Sequence, residues 1–118
     1  MYNKRSVGAR QEQIAAEFLK EREYQIMECN FRCRTGEIDI IAKDKGCLVF
    51  VEVKYRKTSS MGLPEEAVDY SKMKRISHTA RFYLLKNHIP FDTPCRFDVV
   101  TILDQDISLI QNAFDAVF

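Results

Sequence analysis

Apolar residues recur at Ala9, Ile14, Ala15, Phe18 and Leu19, close to the helical period of about 3.6 and with polar residues between them. This spacing predicts a helix from about Val7 to Arg22. Tyr24 to Phe31 reads as a short strand around Ile26 and Met27. Two β-type runs follow, Glu37 to Ala42 and Cys47 to Tyr55, and the polar Lys43-Asp44-Lys45-Gly46 between them predicts an antiparallel hairpin. Lys57 to Gly62 is the most loop-like stretch. Pro64 marks a second helix start, with Glu65 and Glu66 suited to the positive end of its dipole. Val68, Ile76, Ala80, Tyr83 and Leu84 give that helix an apolar face up to about Lys86. Pro90 and Pro94 bracket a loop, Phe97 to Leu103 is a β-branched strand, and Ile107 to Ile110 is a last short one. The order α-β-β-β-α-β-β predicts an α/β fold with a mixed sheet flanked by helices, and residues 1–118 are expected to form one domain.

Charge sits in two of these strands where a buried run should exclude it. A charged group inside an apolar strand costs stability unless it is paired or holds a metal. Side chains alternate along a strand, so Glu52, Lys54 and Arg56 share a face with Leu48 and Phe50, while Asp39 shares its face with Glu37 and Ile41. With the turn at Lys43 to Gly46 and Ala42 opposite Cys47, Asp39 faces Phe50 and Glu52 is its diagonal neighbour. Diagonal neighbours lie roughly 7–8 Å apart, near enough for two carboxylates to share a cation. A one-residue slip would put them on opposite faces. Two close carboxylates repel unless a cation lies between them, and hard oxygen donors suit Mg²⁺ or Mn²⁺. Such an ion polarises a phosphate and acidifies water, and Lys54 is placed to orient that water or neutralise growing charge. The plainer alternative is a half-exposed hairpin in which Glu52 and Lys54 form ordinary cross-strand pairs. Glu12 is either a third acid from the first helix or a solvated helix residue. Asp98, between Phe97 and Val99, either lines the site or pairs with Arg96 or a surface base.

Composition adds limits. Hydrophobic residues make up 46% and charged residues 30%, an ordinary globular balance. No apolar run approaches the roughly 18 residues that span a bilayer. Met1-Tyr2-Asn3-Lys4-Arg5 lacks the apolar segment of a secretory signal, so a cytoplasmic, non-membrane protein is expected. The net charge of +1 gives no bulk signal for nucleic acid, yet the bases cluster at Lys4, Arg5 and Arg10, at Arg32 and Arg34, at Lys54, Arg56 and Lys57, and at Lys72, Lys74 and Arg75. Scattered surface charge would give the same total. Cys29, Cys33, Cys47 and Cys95 lack the paired spacing of a zinc site and read as reduced thiols. His78 and His88 have no evident ligand partner.

Several motifs run together along most of the chain. They are Gly8-x-x-x-Glu12-x-x-Ala15, Asn30-x-Arg32, Gly36-Glu37-Ile38-Asp39-Ile40-Ile41-Ala42 and Val49-Phe50-Val51-Glu52-Val53-Lys54-x-Arg56. Pro64-x-Glu66-Ala67-Val68, Lys72-x-x-Arg75-Ile76, Ala80-x-x-Tyr83-Leu84, Arg96-Phe97-Asp98-Val99-Val100 and Asn112-Ala113-Phe114 continue the pattern. This set resembles the YraN-like family of small bacterial proteins, which is similar to archaeal Holliday-junction resolvases and to the wider PD-(D/E)XK nuclease superfamily. The resemblance implies a restriction-endonuclease-like core and a Mg²⁺- or Mn²⁺-dependent nuclease site. It makes Asp39 and Glu52 metal ligands, Lys54 the catalytic lysine and Glu12 the helical acid near the metal, with Ile38 where the superfamily carries proline. The expected function is hydrolysis of DNA phosphodiester bonds, on branched or junction-like substrates. Arg32, Arg34, Arg56, Lys57 and Lys72 would contact phosphates, which position a substrate without reading its sequence. The resolvase relatives act as dimers, so a homodimer is implied as well, although no dimer face is legible in the chain. Two alternatives stand beside this reading: a noncatalytic nucleic-acid-binding module, and a protein-interaction domain that keeps the same fold.

Overall fold

In the computed structural model the backbone is described for residues 4–58 and 68–118, and the side chains from residue 8 onward within those ranges. Leu19 and Ala15, which set the helical period near the N-terminus, are fully buried and anchor α1 (Lys4–Glu21). The remaining elements are β1 (Gln25–Cys33), β2 (Gly36–Asp44), β3 (Cys47–Arg56), α2 (Tyr70–Lys86), β4 (Cys95–Leu103) and β5 (Asp106–Phe114). They form the expected α-β-β-β-α-β-β order and a five-stranded mixed sheet in the order β1-β2-β3-β4-β5. The β3–β4 pair is parallel and the other pairs are antiparallel. The crossover that joins the parallel pair carries α2, as a parallel connection requires.

Strand β3 shows why the sheet is covered on both faces. Val49 and Val51 pack with Ala15 and Leu19 of α1 and with Val100 and Ile102. Leu48 and Phe50, the alternate positions, pack with Ile76, Ala80, Tyr83 and Leu84 of α2 and with Phe97. Phe50 is 1% exposed and meets the Tyr83 ring edge-on at 5.9 Å. Burial of such a side chain contributes roughly 1.5–3 kcal/mol.

Three sequence expectations need correction. The β2–β3 turn is Lys45-Gly46 alone, and Asp44 pairs with Cys47. Both turn residues have positive φ, 50° and 82°, the backbone signature of a type I′ hairpin. Lys43 and Asp44 looked like turn residues because they are polar. Asp44 is instead buried at the strand end, where its Oδ2 accepts from Arg96 Nη2 at 2.9 Å. The register is thus displaced by two positions, an even number, so the paired residues Ile40 to Asp44 keep their expected faces. The ladder itself stops at Ile40–Val51, one position short of Asp39.

The second helix does not run unbroken from Pro64. Asp69 caps α2 in an extended conformation, its Oδ1 accepting from the Lys72 backbone N–H at 2.8 Å, while Pro64, Glu65 and Glu66 lie outside the described residues. Strand β5 is longer than expected because Gln111 and Asn112 have polar partners inside the fold.

Those partners belong to a buried network around Asp98, which is 0% exposed. Its Oδ2 accepts from Tyr24 Oη at 2.8 Å, and its Oδ1 accepts from Arg96 Nε at 2.8 Å and from the Asn112 N–H at 2.9 Å. Asn112 reaches it from a left-handed backbone, φ 51°, beside an irregularity between Phe97 and Val99. Of the two roles expected for Asp98, the fold selects pairing with Arg96.

Candidate active site

Asp39 stands where pairing fails on both sides of β2. Toward β3 the ladder ends at Ile40–Val51. Toward β1 it passes from Cys29–Ile40 to Phe31–Ile38, skipping Asn30 and Asp39, and Asn30 has a positive φ of 57°. The facing of side chains changes at this point: Ile40 packs in the α1 layer, whereas Ile38 packs in the α2 layer. Strict alternation, which the sequence pattern assumes, therefore breaks at Asp39. With the ladder interrupted, Asp39 Oδ2 accepts the Val53 N–H at 2.8 Å and satisfies a donor that would otherwise pair with strand backbone.

Acids converge on this break. One carboxylate oxygen each from Glu12, Glu37 and Asp39 lies within 4.8 Å of the others. Glu12 comes from α1, and its Oε1 is buried without a hydrogen-bond partner. Arg32 Nε approaches Glu37 Oε2 at 3.5 Å, a partly exposed pair of modest strength. Burial pushes the Asp39 carboxyl up to about 8, aided by the neighbouring Glu52, Glu12 and Glu37 and opposed by the Val53 N–H. Burial also raises Glu12, with Glu37 adding to the effect. Glu37 was placed on the Asp39 face by strand spacing but not marked as a ligand. The signal available was its two-residue spacing from Asp39 on one strand.

The neighbouring acid is arranged differently. Glu52 is 6% exposed, and its Oε1 receives two ammonium groups: Lys54 Nζ at 3.2 Å and Lys72 Nζ at 2.9 Å. Lys54 lies two residues along the same strand, and Lys72 arrives from the first turns of α2. Burial, with Lys72 alongside, lowers the Lys54 ammonium from its ordinary value. The site therefore lies inside the sheet, where the β2–β3 ladder stops at Ile40–Val51. On one side acids crowd together, and on the other a single acid holds two bases.

Of the other basic residues expected to contact phosphates, Arg32 approaches this centre through Glu37. Arg32 and Arg34 are exposed on the β1–β2 hairpin, Lys57 is exposed after β3, and Arg56 is half-buried with its Nη1 on the Tyr55 carbonyl at 3.0 Å. The hairpin docks on α2 through Thr35 and Thr79, whose hydroxyl oxygens are 3.0 Å apart. Gly36 permits that approach: a Cβ there would come within 3.2 Å of Thr79 Oγ1, on a backbone with φ 151°. Lys72, expected to face substrate phosphates, points inward to Glu52. Residues 59–62 of the loop-like stretch lie outside the described residues.

The donor set suits a hard divalent cation. It offers carboxylate oxygens only, with one of them buried and unpaired and all three acids mutually repelling.

Residues 11–102 match the profile of the uncharacterised protein family UPF0102. The chain belongs to the UPF0102 family. It is 55% identical over 114 residues to a UPF0102 protein of Lachnoclostridium phytofermentans, covering 97% of each chain. It is also similar to UPF0102 proteins of Persephonella marina, 46% identical over 108 residues and 92% of each chain, and of Clostridium botulinum strain 657, 43% identical over 119 residues, with 96% of this chain and 97% of the relative covered. This is the family toward which the YraN-like motifs pointed. In this UPF0102 chain the cysteines are free thiols, and among the described residues no helix is long and apolar enough to cross a membrane.

Proposed function

We propose that this UPF0102 protein is a divalent-metal-dependent endonuclease that hydrolyses DNA phosphodiester bonds, with branched or junction-like DNA as its substrate class. The observation that carries the reading is the half-buried group of Glu12, Glu37 and Asp39, with an unpaired Glu12 oxygen, beside the Glu52–Lys54 pair. Asp39, Glu12 and Glu37 would hold Mg²⁺ or Mn²⁺, with Glu52 as the neighbouring ligand. Such an ion supplies Lewis acidity to a phosphate and acidifies water. Lys54 supplies fixed positive charge where negative charge grows on the phosphate, in a setting shielded from bulk water. Arg32, Arg34, Arg56 and Lys57 would fix the substrate through its phosphates. Two copies would present two sites to two strands, so a homodimer acting in the cytoplasm fits this chemistry.

The test is cleavage of labelled four-way-junction, flap, single-stranded and duplex DNA with Mg²⁺ or Mn²⁺, comparing wild type with Asp39→Ala. Metal-dependent cutting that disappears in the variant is expected. Cutting that survives both Asp39→Ala and Glu52→Ala would sink the proposal. A second reading, a noncatalytic nucleic-acid-binding module, is favoured by one feature: Glu52 Oε1 is already engaged by two lysines. Salt-sensitive DNA binding without metal-dependent turnover would support it.

A further inference from the structure

Charge is unevenly divided between Asp39 and Glu52. Three carboxylates converge at Asp39, whereas two ammonium groups share one oxygen of Glu52. The two lysines are not equivalent. Lys54 lies on the same strand as Glu52, at 3.2 Å, and its side chain is 12% exposed. Lys72 stands on a separate element, at 2.9 Å, with 28% of its side chain exposed. Its backbone is fixed by the Asp69 cap, and its side chain is the more exposed of the two.

We propose that Lys72 is an internal counter-cation that keeps Glu52 occupied in the ion-free protein and is displaced when a divalent ion binds. The inference rests on the metal-site reading given above. A divalent ion that uses Glu52 brings two further positive charges beside two ammonium groups, and like charges at such distances repel strongly away from bulk water. One ammonium must leave, and the more exposed Lys72 is the freer to do so. Once released it stands at the protein surface beside Glu52, where an anionic phosphate group would stabilise its outward position. Ion binding and phosphodiester binding then favour each other, and such coupling is reciprocal.

Mn²⁺ binding to the full chain, measured by calorimetry without DNA, tests this directly. Lys72→Gln keeps a hydrogen-bond donor but removes the charge, and it should bind Mn²⁺ on the order of tenfold more tightly than wild type. Lys72→Arg, which keeps the charge, should stay close to wild type. A measurement on the wild-type protein covers the case in which Lys72→Gln does not fold. The Lys72 ammonium nitrogen resonance should shift on Mg²⁺ titration, with a smaller response at Lys54. Unchanged or weakened Mn²⁺ affinity in Lys72→Gln, or a Lys72 resonance unmoved at saturating Mg²⁺, overturns the proposal. If Mn²⁺ binding is lost in Asp39→Asn yet indifferent to Lys72, the counter-cation role fails and the metal site stands. If wild type and Lys72→Gln both bind no ion, both fail.

Discussion

Asp39 and Asp98 occupy the same kind of place and live in opposite surroundings. Each interrupts an apolar strand run, Ile38-Asp39-Ile40 and Phe97-Asp98-Val99, and each sits at a break in strand pairing beside an asparagine with positive φ. Asp98 accepts from Tyr24, Arg96 and the Asn112 N–H, and Arg96 is itself held more firmly protonated by Asp98 and Asp44. Asp39 accepts the Val53 N–H, and its charged neighbours include Glu52, Glu12 and Glu37. A buried acid in a strand is therefore not by itself a sign of chemistry. The balance of charge around it separates a structural clamp from a group of mutually repelling acids.

The largest test of this contrast is removal of the saturated acid. Asp98→Ala leaves Arg96 without its main partner and orphans the Asn112 N–H, so it should cost about 3–5 kcal/mol in urea unfolding at neutral pH. A cost below about 1 kcal/mol would mean that the network is not a clamp. Asp39 should behave in the opposite sense. Its folded-state pKa of about 8 is above its ordinary value of 3.8, so the folded chain binds more protons than the unfolded chain between these values. This contribution to ion-free stability is present at acid pH and declines as pH rises from about 4 to 8. Asp39→Asn carries no such penalty. It should match wild type near pH 4 and be more stable by several kcal/mol, at most about 5, at pH 8 without divalent ions. Mg²⁺ should raise the melting temperature of wild type and leave the variant unmoved. Equal pH profiles for the two proteins would remove the claim that Asp39 is short of positive charge.

Local patterning carried the fold class, because strand alternation and helix period are properties of neighbouring residues. It also made Asp39 and Glu52 neighbours despite a wrong turn, although the break in alternation at Asp39 is not in the pattern. The misreadings arise from contacts between distant residues. Asp44 looked like a turn residue until Arg96, 52 positions away, claimed its carboxylate. Lys72 looked like a surface base because the packing that turns α2 toward Glu52 is not written in its own neighbourhood. The period of α1 could not say that Glu12 overlies the break at Asp39. Nor did the run around Asn30 announce the left-handed residue that helps to create that break.

The finest separation between structural and ion-seeking acids lies at Glu37. This residue belongs to the Asp39 group, yet its side chain is 38% exposed and has Arg32 nearby at 3.5 Å. Its carboxylate is thus largely satisfied by water and by an exposed cation, so Glu37→Gln should change ion-free stability by less than about 0.5 kcal/mol. If it is a ligand, the same substitution removes a charge from the donor set and should weaken Mn²⁺ binding several-fold in calorimetry. Glu12→Gln should weaken it more, because its buried oxygen has no competing partner. If Glu37→Gln leaves Mn²⁺ affinity untouched while Glu12→Gln reduces it, Glu37 is a rim residue and the centre consists of Glu12, Asp39 and Glu52. The reverse order would mean that the exposed side of the site, and not the buried Glu12 oxygen, makes the larger contribution to ion binding.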